Sequence, residues 1–166
     1  IASAKDNMIL FLDFDGVLHH IRARYNEGFQ HVPALETVLR DFPLVKIVIS
    51  SSWRYHENLE QLREHFSPDI AERIIGVTPT IEPTWQEHAR FKEISAWIEM
   101  NAYTGEWLAI DDQYGEFPQV GEGKDIQEEA FDMHSAWHPN LVWSRKIFGL
   151  RPENLQYLRE RLGNND

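Results

Sequence analysis

"MILFLDFDGVL", residues 8–18, runs five apolar residues into two aspartates, Asp13 and Asp15, which flank one Phe and lead straight into Gly16. A short continuous apolar run of this kind reads as a strand buried on both faces of a parallel sheet. Two acids at its end are costly to desolvate, so their placement points to function rather than packing. Gly16 supplies a turn at which the backbone can open around a ligand.

The same alternation continues along the chain. LVKIVIS, residues 44–50, reads as a second strand ending in a hydroxyl, and Pro33 opens a helix before it with Leu35, Val38, Leu39 and Phe42 on one face. A helix over Tyr55 to Phe66 and a third strand, RIIGV at 73–77, are expected next. The spacing of Phe91, Ile94, Trp97 and Ile98 predicts a helix over Gln86 to Met100, and WLAIDD, 107–112, a fourth strand ending in acids. Leu141 to Trp143 is the last expected strand, and Pro152 opens a C-terminal helix through Leu155, Leu158 and Leu162. Strands alternating with helices predict an α/β fold: a Rossmann-like three-layer sandwich with a central, mostly parallel sheet. Residues 8–166 read as one domain, and residues 1–7 as an added remnant or disordered lead.

Composition narrows the function classes. The chain has no cysteine, which excludes disulfides and thiolate zinc sites. No run approaches the roughly 18 apolar residues of a membrane helix, so a soluble, cytoplasmic protein without a membrane partner is expected. A formal charge of -11 argues against a sequence-independent grip on a nucleic-acid backbone. The acidic EGKDIQEEAFD reads as a solvated loop.

In an open parallel sheet, ligands bind beyond the carboxyl ends of the strands. Asp13 and Asp15, Ser50 to Ser52, and Asp111 with Asp112 all lie at such ends and should converge. Four carboxylates in one crevice repel each other and call for a cation. Hard oxygen donors without thiolates favour Mg2+, which typically pairs carboxylates with a phosphate group.

These residues resemble the ordered motifs of the haloacid dehalogenase (HAD) superfamily. FLDFDGVL is similar to its first motif, IVISSS to its second, an Arg or Lys heading the helix before strand four to its third, and LAIDD to its paired-acid fourth. The resemblance spans about Met8 to Asp112 and implies a phosphatase, because superfamily members that act as dehalogenases lack the second acid of DFD. It implies Asp13 as the nucleophile and Asp15 as general acid and then base. Ser50, with Ser51 as the fallback, would bind the phosphoryl oxygens, and so would Arg90 or else Lys92. Asp13, the carbonyl of Asp15, Asp111 and Asp112 would hold Mg2+. The segments after Gly16 and between Val77 and Arg90 are too short for a full cap domain, which leaves an open crevice. SSSWR together with the short loops also resembles a small HAD domain of bacterial RNA-repair assemblies. The implied partner is a phosphorylated substrate: a small molecule, a nucleotide, a nucleic-acid end or a phosphoprotein. The oligomeric state stays open.

Two other classes compete. A catalytically silent HAD-like interaction domain would keep the fold without turnover. A phospho-receiver module would carry its phosphorylated Asp after a middle strand and a Lys after the last, whereas here the acids follow strand one and only a displaced Lys146 is at hand. Among remaining features, His134 and His138 have a zinc-compatible spacing but no third ligand, and a surface or packing role is expected. His19, His20 and His31 bracket a segment read as a solvated loop; the competing reading has it overhang the site, with a His, Arg22 or Arg24 touching substrate. Arg54 is expected near the mouth, holding either a second phosphate or a surface ion pair. The six Trp residues are read as core.

Overall fold

The computed structural model describes residues 7–23, 28–120 and 137–163. Arg24, His134 and the EGKDIQEEAFD segment lie outside the described residues, as do residues 1–6. Asn7 is within them, and its carbonyl accepts from the Glu106 amide at 3.2 Å.

The apolar run forms β1 (Met8–Leu12), every residue of which is buried. It is the centre of a five-stranded parallel sheet with β2 (Val45–Ile49), β3 (Ile74–Val77), β4 (Glu106–Asp111) and β5 (Leu141–Trp143), in the order β3-β2-β1-β4-β5. Burial on both sides explains why β1 lacks apolar–polar alternation. Leu10 and Leu12 pack with Ile47 and Ile49 against α1 (Val32–Arg40), α2 (Leu59–Arg63), α3 (Pro68–Ala71) and α5 (Pro152–Gly163). Ile9 and Phe11 face the other way, with Val48 and Ala109, onto Ile94 and Trp97 of α4 (Ala89–Met100). Each such fully buried large side chain contributes about 1.5–3 kcal/mol. The result is a three-layer sandwich. Among the described residues no helix is long and apolar enough to cross a membrane.

The expected helix over Tyr55 to Phe66 is divided. A 3-10 turn takes Ser52–Tyr55, and α2 begins only after Asn58. Asn58 Oδ1 accepts from the Gln61 amide at 2.9 Å and Gln61 Oε1 accepts from the Asn58 amide at 2.8 Å. This reciprocal capping box starts a new helix and so ends the old one. The helix expected from Gln86 starts three residues later, at Ala89, after His88 in a left-handed conformation (φ 55°). Of the tryptophans, Trp143 is 2% exposed but Trp85 is 85% exposed, which overturns the reading of all six as core.

Candidate active site

Register extends the sheet one step past the strands into a row of polar side chains. Leu12 is paired with both Ile49 and Ile110, and Ile49 with Val77. The Asp13, Ser50 and Thr78 amides continue these ladders to Ile110, Leu12 and Ile49 at 3.1, 3.0 and 3.0 Å. Asp111, Asp13, Ser50 and Thr78 are therefore neighbours across four strands, all nearly buried. In-register residues of parallel strands point to one face, here the α4 face. The strand order reverses between β1 and β4, so the row lies at the sheet's switch point.

One oxygen each of Asp13, Asp111 and Asp112 lies within 4.8 Å of the others. Arg90, in the first turn of α4, answers part of this charge: its Nη1 donates to Asp111 Oδ2 at 2.5 Å and lies 3.4 Å from Asp13 Oδ2. Burial works against the Arg90 charge, but Asp111 and Asp13 more than offset it and hold the guanidinium protonated. The remaining oxygens of these two acids are also held. Phe14 N donates to Asp13 Oδ1 at 2.8 Å, and Gln113 N to Asp111 Oδ1 at 2.9 Å. Asp112 differs: both its carboxylate oxygens are buried without a hydrogen-bond partner among the described residues. Burial above all, then Asp13 and Asp111, pushes its carboxyl up to about 9. Burial likewise raises Asp111, against the pull of Arg90. Three carboxylates against one guanidinium, with two orphaned oxygens, fit a hard divalent cation such as Mg2+.

The DFD triplet divides its side chains. Phe14 is fully buried and packs on Phe29, Trp53, His65 and Phe66 with ring centroids 5.5–6.0 Å apart. Asp15 stays out of the acid cluster. Its Oδ1 takes two donors, His19 Nε2 at 2.7 Å and Trp53 Nε1 at 3.0 Å. The Phe29 amide donates to His19 Nδ1 at 3.1 Å, which puts the ring hydrogen facing Asp15 on Nε2. The His19 bond first, and that of Trp53 as well, holds Asp15 below the usual carboxylate range. His19 is 3% exposed and not part of a solvated loop. Its signal in the sequence was its position four residues after Asp15.

Gly16 has φ 75°, and a Cβ there would fall 2.6 Å from Asp112 Cγ. Only glycine fits so close to the acid. From the edge of the sheet, Ser144 Oγ donates to the Gly16 carbonyl at 2.6 Å and Trp143 Nε1 to the Asp112 carbonyl at 2.9 Å. Asn154 Nδ2 of α5 in turn donates to the Trp143 carbonyl at 2.8 Å.

The serines separate by role. Ser51 Oγ accepts from the Trp53 amide at 3.2 Å and caps the 3-10 turn. Ser50 Oγ is buried with no hydrogen-bond partner among the described residues. Lys92 is turned away: its Nζ donates to Gln86 Oε1 at 3.0 Å on the exposed side of α4. Arg90 is thus the cation brought to the acids. Arg54 holds neither a surface ion pair nor a phosphate-facing position. Its side chain is 4% exposed; Nη2 lies 2.6 Å from Glu93 Oε2 and also donates to the Tyr55 hydroxyl at 3.2 Å, while Nε and Nη1 donate to the carbonyls of Thr78, Ser50 and Ser51. His138 is buried against Phe91, Trp107 and Phe117 and accepts from the Asn140 amide at 3.1 Å, a packing role.

Comparison with known proteins gave one result in keeping with this geometry. A family profile described as the HAD domain in Swiss Army Knife RNA repair proteins matches residues 9–155. Neither the curated proteins nor the solved structures gave a match.

Proposed function

Because this chain belongs to the family of HAD domains in Swiss Army Knife RNA repair proteins, we propose that it is a magnesium-dependent phosphatase that hydrolyses a phosphate monoester through an aspartyl-phosphate on Asp13. Asp13 attacks phosphorus while Asp15, which takes up a proton on Oδ2 as the substrate's negatively charged phosphate comes against it, gives that proton to the departing alcohol oxygen as the ester P–O bond breaks. A water, deprotonated by Asp15, then attacks the same phosphorus; the bond to Asp13 breaks and inorganic phosphate leaves. The Ser50 hydroxyl and Arg90 bind the transferring oxygens. Asp13, Asp111, Asp112 and the Asp15 carbonyl would hold the ion, which when bound draws charge from the phosphoryl group.

The observation that carries this reading is the pair of buried, unpartnered Asp112 oxygens beside Asp13 and Asp111. Such a desolvated excess of negative charge is expensive unless a cation completes it. The division between Asp13 in the cluster and Asp15 outside it suits one nucleophile and one proton carrier.

The test is phosphate release with and without Mg2+ from p-nitrophenyl phosphate, nucleotides, phosphopeptides and, given the family's setting in RNA repair, phosphorylated oligoribonucleotides. Release that needs Mg2+ and vanishes in Asp13→Asn supports the phosphatase. A folded protein that turns over none of them refutes it in favour of a silent interaction domain.

A further inference from the structure

Asp15, Ser52, Trp53, His56 and Glu57 line an open cavity of about 340 Å³. Of the site's four aspartates only Asp15 reaches it, so the cavity lies to the side of the acid cluster. Asp15 Oδ1 is taken by His19 and Trp53, which leaves Oδ2 as the oxygen that can pass a proton. An alcohol released from phosphorus next to Asp15 therefore emerges here.

The walls define what that alcohol is. Trp53 is half-buried and its indole is backed by Phe14, Phe29 and His65. Glu57 bonds His65 Nε2 through Oε1 at 2.7 Å and has no further side-chain partner among the described residues. Ser52 is exposed. An aromatic surface flanked by a carboxylate and a hydroxyl suits a hydroxylated ring: the ring's C–H edge packs on the indole, and neighbouring hydroxyls donate to the carboxylate. A second phosphate is disfavoured, because among the described residues two carboxylates and no Lys or Arg line the cavity. Arg54, adjacent to Trp53 in sequence, directs its donors to Glu93, the Tyr55 hydroxyl and three carbonyls, none of which belongs to a residue lining the cavity. The volume is at the small end of the roughly 300–1,000 Å³ of ligand pockets, room for about one ring system.

We propose that this cavity is a leaving-group subsite for a ring with vicinal hydroxyls, a sugar or a nucleoside, and that Glu57 and Ser52 read those hydroxyls. The direction of the chemistry rests on the phosphatase reading; the binding does not. The experiment is ligand-observed saturation-transfer NMR on the whole chain with adenosine, 2',3'-dideoxyadenosine and ribose, for wild type, Glu57→Gln and Ser52→Ala. Adenosine binds about tenfold more tightly than its dideoxy analogue, the size expected when a hydrogen bond to a charged group is lost. Adenosine binding weakens in at least one folded variant, and Ser52→Ala, at an exposed position, serves if Glu57→Gln does not fold. Ribose binding as well as adenosine marks a sugar subsite, and weaker ribose binding a nucleoside subsite. Equal binding of adenosine and dideoxyadenosine, no binding of adenosine or ribose, or unchanged adenosine binding in both variants overturns the proposal. Hydroxyl-dependent binding without phosphate release from any of the phosphate esters named above sinks the phosphatase alone; release with hydroxyl-independent binding sinks the subsite alone.

Discussion

Replacing Arg54 by Leu removes the charge that answers Glu93 and the donors that hold the chain after β2. The two side chains are 4% and 7% exposed and 2.6 Å apart. Removing one partner of such a buried pair costs about 3–5 kcal/mol. Burial, opposed by Arg54, already pushes the Glu93 carboxyl up, so without Arg54 it takes a proton and the cost stays near the lower end. The carbonyls of Ser50, Ser51 and Thr78 lose donors at 3.1, 2.9 and 3.0 Å, which adds about 1 kcal/mol or more. The sum is about 4–5 kcal/mol, and at about 2–4 °C per kcal/mol a loss of roughly 8–20 °C in Tm. Glu93→Gln keeps an oxygen acceptor and all three carbonyl contacts, so about 1–2 kcal/mol is expected. Arg54→Lys recovers little, because one ammonium cannot reproduce the guanidinium fork. Urea and thermal unfolding followed by circular dichroism measure all three. The reasoning fails if Arg54→Leu unfolds within about 1 kcal/mol of wild type, or if Glu93→Gln costs as much as Arg54→Leu.

Three further outcomes are expected. Arg90→Met lowers turnover of p-nitrophenyl phosphate by about a hundredfold or more, the loss of a charged stabiliser, while Lys92→Ala changes it less than about twofold; similar effects of the two would contradict the placement of Arg90 at the acids. Gly16→Ala adds roughly 1–2 kcal/mol of left-handed strain and displaces Asp112, so the Mg2+-induced rise in Tm shrinks, and an undiminished rise would show that the close approach is not needed. Burial raises Asp112 and Asp111, so in the metal-free fold the protonated acids are the stable form and that stability is lost as pH climbs from the ordinary carboxylate range through the raised values. A cation must displace those protons, so the Tm gain from Mg2+ grows from about pH 6 to about pH 9, as thermal scans can check; a pH-independent gain would argue against an ion among these acids.

Much of the fold was legible because it was written in uninterrupted apolar runs. Met8 to Leu12 and Leu141 to Trp143 match the strands residue for residue, and Leu35, Val38 and Leu39 face the core from α1. The meeting of Asp13, Asp111 and Asp112 follows from parallel strands ending at one level, which strand spacing and polar termini make readable. What escaped was set by contacts between distant residues. Trp53 and Asp15 are 38 positions apart, and Arg54 and Glu93 are 39 apart, so no local pattern announces either pair. The break at Asn58 was readable, since Asn-x-x-Gln is a start signal, but the apolar spacing across Tyr55 to Phe66 masked it. Lys92 stayed as the fallback to Arg90 because two positions along a helix turn the side chain to the opposite side, and the sequence does not say which side faces the acids.

The order of the motifs along the chain differs from the order in which the site is mechanically secured. Every acid of the site precedes residue 113, yet the loops that carry two of them are tied to Trp143 and Ser144, and Trp143 is tied to Asn154. A three-residue edge strand and one turn of α5 thus act as a latch for chemistry encoded earlier in the sequence. During synthesis the acids are made before the latch residues, so the ties to the Gly16 and Asp112 carbonyls cannot form until Trp143 and Ser144 have followed.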